Sequence, residues 1–116
     1  MSNYHEPVEL LSEKTRNISR AITSLKEELE AVDWYNQRVE ASNDPELKDI
    51  MAHNRDEEIE HACMTLEWLR RNMGKWDEEL KTYLFTSGPI TGIEEKEEGG
   101  GDSTAASADL SIGNMK

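Results

Sequence analysis

Glu58 and His61 stand three residues apart in a stretch free of Pro and Gly. On an α-helix that spacing puts a carboxylate and an imidazole on one face, where both can reach one metal ion. A helix bundle that holds two metal ions this way needs two Glu-x-x-His steps and two further Glu, each from its own helix. This chain contains a single Glu-x-x-His step, half of that set. Glu57 is also one turn from His61, so spacing alone leaves Glu57 and Glu58 as competing ligands. In so acidic a chain an acid three places before a histidine is unsurprising by itself, and its placement has to carry the weight.

Upstream, Glu28 lies one turn from Leu25 and Val32, at the edge of an apolar seam, with Tyr35 further along the same line. Carboxylates and imidazole without thiolate suit iron or manganese, and bridging carboxylates let two ions share one site. Glu27, Glu30 and Trp34 follow i, i+3, i+7 beside Glu28. Such a strip concentrates cations at the mouth of a site, or is simply a solvated helix face. His5 and His53 have no comparable context and read as solvent or capping residues.

The elements that must position these groups are helical. From residue 8 to 39 no Pro or Gly interrupts, and Ile18, Ile22, Leu25, Leu29, Val32, Asn36 and Val39 step by four and three, predicting one long amphipathic helix entered at Pro7. Asp44 is the expected N-cap of a second helix, with Pro45 as its first residue and its end near Asn72. On its inward face the spacing puts Leu47, Ile50, Met51, Asn54, Glu57, Glu58, His61, Met64, Thr65 and Trp68, so polar groups interrupt an apolar stripe. Gly74 reads as the stop of that helix, and residues 75–85 as a short third one. The predicted fold is therefore all-α: a two-helix antiparallel hairpin plus a short third helix over residues 1–86. Such a hairpin has an apolar face and little to bury it against, so a second copy is expected to complete a four-helix bundle. Residues 87–108, rich in Gly and Glu, read as a flexible linker, and 109–116 return to apolar residues as a docking peptide.

The chain has 116 residues and a net charge of −12, from 25 acidic and 13 basic side chains. Phosphate binding draws on Lys and Arg clusters, so nucleic acid is not an expected partner, and cations are the natural ligands. No run approaches the ~18 apolar residues of a membrane helix, and residues 1–7 lack a signal peptide's basic and apolar regions. No membrane role and a cytoplasmic location are expected. Cys63 is the one cysteine, which leaves no internal disulfide and no multi-thiolate zinc site.

A family resemblance rests on Glu-Glu-Leu-Glu-Ala-Val-Asp-Trp-Tyr at 27–35, His-Asn-Arg-Asp-Glu-Glu-Ile-Glu-His at 53–61 and Thr-Leu-Glu-Trp-Leu-Arg-Arg from Thr65. With Thr82-Tyr-Leu-Phe-Thr and Gly88-Pro-Ile, these resemble the encapsulated ferritins, ferritin-like cargo proteins of encapsulin nanocompartments. The resemblance implies a ferroxidase, with a di-iron centre (two Fe per subunit pair) formed only where two subunits meet. Residue by residue it places carboxylate ligands on Glu28 and Glu58, the histidine ligand on His61 and a tyrosine beside the irons on Tyr35. It also implies an entry site at Glu27 and Glu30 with Trp34 adjacent, with calcium as a candidate ion there. It further implies a decameric ring of five dimers in the lumen of an encapsulin shell, docked through residues 109–116, where Leu110, Ile112, Gly113 and Met115 resemble a cargo-loading peptide. Two other functions remain open to the sequence: a non-enzymatic acidic helical adaptor, and a redox-silent divalent-cation buffer.

Overall fold

Ser12 sets the start of the first long helix. In the computed structural model, which describes residues 4–99, the Ser12 hydroxyl accepts the Thr15 backbone N–H at 3.1 Å. Helix α1 follows as Glu13–Ala41. The uninterrupted helix expected from residue 8 is thus divided: Val8–Leu10 is a 3₁₀ turn and Leu11 is extended. A serine that satisfies one of the orphan N–H groups of a first turn makes a break there favourable, which apolar periodicity does not register. Helix α2 spans Pro45–Asn72 and begins as expected, with Asp44 Oδ1 accepting the Leu47 N–H at 3.0 Å and Pro45 in the first turn.

Two cross-helix pairs fix the hairpin. Asn36 Oδ1 accepts from Arg55 Nη1 at 3.0 Å, and Glu28 Oε2 accepts from Thr65 Oγ1 at 3.3 Å. A later residue of α1 meets an earlier residue of α2, so the helices run antiparallel. Between them Ile18, Leu25, Val32 and Val39 are half-buried on α1, while Ala62 and Leu69 are the buried apolar residues of α2. The expected α1 seam therefore splits, since Ile22 and Leu29 remain exposed. On α2 the expected inward face splits too: Leu47, Ile50, Met64 and Trp68 are exposed, and Ala62 and Leu69, outside that stripe, take the contact with α1. One neighbouring helix can cover only part of a wide apolar face.

The chain divides into two compact units at Met73 and Gly74. Met73 caps α2 in an extended conformation with its N–H on the Leu69 carbonyl at 2.9 Å. Gly74 opens helix α3, Gly74–Tyr83, and does not close α2. In the second unit α3 touches helix α4, Ile90–Gly99. That helix lies inside the stretch read from composition as a flexible linker. Its Glu94, Glu95, Lys96 and Glu97 are good helix formers, and Pro89 opens it by accepting the Gly92 N–H at 3.1 Å. Among the described residues all regular structure is helical, and no helix is long and apolar enough to cross a membrane. The docking peptide read at 109–116 lies outside the described residues.

Candidate metal centre

The hairpin register decides which acidic groups share a neighbourhood. Glu58, His61 and Thr65 recur at i, i+3, i+7 along α2 and so lie on one line of that helix. His61 Nδ1 is 3.5 Å from Glu58 Oε1, a polar contact longer than a hydrogen bond. Their side chains are 44% and 28% exposed, respectively, so the pair sits at the boundary between the hairpin contact and the uncovered face. Glu57, the competing ligand by spacing, has its Oε2 4.0 Å from His53 Nε2, one turn back along α2. Both of those side chains are largely solvated.

Glu28 reaches this line from α1. Its Oε2 accepts the Thr65 hydroxyl, one α2 turn beyond His61. Its Oε1 is buried and has no hydrogen-bond partner among the described residues. A shielded carboxylate oxygen without a donor is destabilising by about 1–3 kcal/mol, so this atom calls for a cation or a further donor. Among the described residues no three His, Cys, Asp or Glu side chains come together as one metal-holding group. What the chain does bring together is a Glu-His pair and, one turn along, a lone Glu with an orphaned oxygen. Oxygen donors of this kind with a single imidazole suit iron or manganese.

Tyr35 is half-buried on α1, next to the Asn36 that bonds Arg55 across the hairpin. The Arg38 guanidinium lies 5.3 Å from the Tyr35 ring centroid, a cation–π contact. Glu27, Glu30 and Trp34 are exposed on α1, where solvent cations have access. Glu67 has a different part: Arg70 grips it through two 2.8 Å bonds and Arg71 through a 2.7 Å bond. These hydrogen bonds, Arg70 first, hold the Glu67 carboxyl down at about 2. That charge is bound up on its own helix and is not offered to a metal.

Beside the Glu58–His61 pair, α2 carries uncovered apolar side chains. Met64 is 58% exposed and Trp68 37%, each within two turns of His61. Sequence reasoning placed both on the working face but gave Thr65 no role. Thr65 does share the i, i+3, i+7 line with Glu58 and His61, which was a usable signal. Its carboxylate partner was not visible, because Glu28 meets it across the hairpin.

Comparison with known proteins agrees with this architecture. The family model described as EncFtn-like matches residues 3–87. The chain is 61% identical to an "Encapsulated ferritin-like protein" of Rhodospirillum rubrum, with 97% of this chain and 86% of the relative covered. It is 59% identical to a "Ferritin-like protein" of Thermotoga maritima, with 94% of each covered. Among solved structures, protein ne0167 from Nitrosomonas europaea superposes with a TM-score of 0.74 at 63% identity, over 77% of this chain and 98% of that one. With an all-helical fold, a Glu-x-x-His step on α2 and a family match over most of its length, the chain belongs to the EncFtn-like family, the encapsulated ferritins.

Proposed function

We propose that this protein is a ferroxidase whose di-iron centre forms where two copies meet, each supplying Glu28, Glu58 and His61. The observation that carries this reading is the buried, partnerless Glu28 Oε1, held one α2 turn from the Glu58–His61 pair. The uncovered α2 residues beside that pair support it, since Met64 and Trp68 would be buried if two such faces met. Two copies then provide two lone Glu and two Glu-x-x-His steps, the full ligand set of a two-metal bundle.

Iron is the substrate. Glu28 and Glu58 surround it with anionic oxygen, which favours Fe(III) over Fe(II) because the Coulomb attraction grows with the ion's charge. His61 adds one nitrogen donor. With dioxygen as acceptor, each of two Fe(II) gives up one electron, and dioxygen takes both with two protons and leaves as hydrogen peroxide. Two adjacent ions let this two-electron step occur at one place. Tyr35, with Arg38 over its ring, is assigned the part of quenching a stray oxidising equivalent beside the irons. Glu27, Glu30 and the neighbouring Trp34 form the entry site, where iron collects before moving inward and where calcium is a candidate occupant.

The name of the Rhodospirillum rubrum relative supports a place inside an encapsulin shell; docking through the apolar residues of 109–116, and an arrangement of the dimers in a decameric ring in the cytoplasm, are part of the same proposal. The shell then holds the Fe(III) mineral that an open ring cannot enclose. The test is Fe(II)-dependent oxygen uptake by the wild type, Glu58→Ala and His61→Ala at equal chain concentration, with oligomeric state followed by sedimentation. Both substitutions are expected to abolish uptake. If all three proteins consume oxygen alike, the ferroxidase reading is wrong.

A further inference from the structure

Among the described residues Thr65 is the one side chain bonded to the Glu28 carboxylate, and its chemistry there is unusual for a helical threonine. A threonine inside a helix ordinarily gives its hydroxyl proton to the carbonyl four residues back, here that of His61. A hydroxyl has a single proton to donate. Thr65 directs it across the hairpin to Glu28 Oε2 at 3.3 Å.

We propose that Thr65 is a positioning residue for the metal centre: it pins the rotation of the Glu28 carboxylate so that Oε1 is presented to the divalent ion. The proposal rests on the reading of Glu28 as a ligand. The terminal torsion of a glutamate is broad and twofold, so an untethered carboxylate samples many orientations. One fixed donor on Oε2 removes that freedom and leaves Oε1 as the open oxygen, which is the atom found shielded and without a partner. A threonine in a helix is confined to two main χ1 positions, so the α2 backbone limits where the Thr65 hydroxyl can sit, and the position it takes here reaches Glu28. The same backbone carries Glu58 and His61 on the same line. Thr65 therefore transmits the spacing of the α2 ligands to a ligand on α1, and holds the two halves of one chain's donor set in register.

Outer partners of metal ligands typically change affinity about 10- to 100-fold when removed. The 3.3 Å length places Thr65 at the lower end of that span. The measurement is anaerobic Fe(II) titration by calorimetry on the full chain, with circular dichroism melting to establish that each variant folds. Thr65→Val keeps the shape and loses the proton; it is expected to weaken Fe(II) binding about tenfold with the number of ions per chain unchanged. Thr65→Ser restores the donor and should bind within about twofold of wild type. Combined with Glu28→Gln, Thr65→Val should cause no further loss, because the residue it acts through is already altered. If Thr65→Val does not fold, Thr65→Ala takes its place in the same comparison.

Wild-type affinity in Thr65→Val, alongside loss in Glu28→Gln, overturns the role of Thr65 and leaves the di-iron reading standing. Equal weakening in Thr65→Val and Thr65→Ser means that packing and not the hydroxyl matters, and also overturns it. Unchanged binding in both Glu28→Gln and His61→Ala removes the metal centre itself, and the positioning role with it.

Discussion

Replacing Glu28 by methionine should make the metal-free protein more stable and the metal-loaded protein less so. The reasoning starts from one atom. Glu28 Oε1 is buried without a hydrogen-bond partner among the described residues, and such an orphan is destabilising by about 1–3 kcal/mol. Glu28→Met removes it while keeping a flexible side chain of similar length in the α1–α2 contact. The substitution also deletes the 3.3 Å bond from Thr65, which at that length contributes about 1 kcal/mol. The Thr65 hydroxyl recovers part of this by turning back to the His61 carbonyl. The balance is a gain of about 1 kcal/mol without metal, or a melting temperature higher by about 4–8 °C for a domain of this size. With Fe(II) the order reverses. A ligand held at a hundred times its Kd stabilises the wild type by about 2.7 kcal/mol per site, and a variant that has lost the ligand gains little. The assay is thermal unfolding by far-ultraviolet circular dichroism, at one fixed chain concentration, in chelator and in anaerobic Fe(II). A Glu28→Met protein that melts below wild type in chelator would refute the orphan-carboxylate argument. One that gains as much as wild type from Fe(II) would refute the assignment of Glu28 as a ligand.

Two further predictions concern the helices that hold the centre. The Glu67 carboxyl, held at about 2 instead of 4.5, is depressed on folding, so its contribution to stability is complete above about pH 4.5 and is lost as pH falls toward 2. Glu67→Gln should therefore flatten the acid side of the stability curve with no matching change in slope near neutrality, as followed by denaturant titration at stepped pH; superimposable acid limbs would be the contrary result. Asp44→Ala removes the cap that accepts the Leu47 N–H and should lower stability by about 1 kcal/mol, and an unchanged melting temperature would show that Pro45 alone starts α2.

Much of the fold was legible because its signals are local. Asp44 followed by Pro45 marks a helix start whatever surrounds it, and the structure begins α2 there. Seven-residue spacing of apolar groups likewise announces helices before any partner is known. Where local chemistry competes, the pattern misled: the Ser12 cap divides a run that looks continuous, and Met73 takes the cap that Gly74 seemed to promise. The linker at 87–108 was read from composition, which reports poor packing ability and says little of a short Glu-rich helix seated on Pro89.

The sequence by itself determined the donor types, the Glu58–His61 step and the helical faces that carry them, because three-residue spacing is a property of one helix. Tertiary structure decided the rest. It set the register in which Glu28 meets Thr65 and left Glu28 Oε1 shielded and unpaired. It also turned Ala62 and Leu69 toward α1 and left Met64 and Trp68 uncovered. Those outcomes depend on how two helices slide and rotate against each other, and no single helix contains that information.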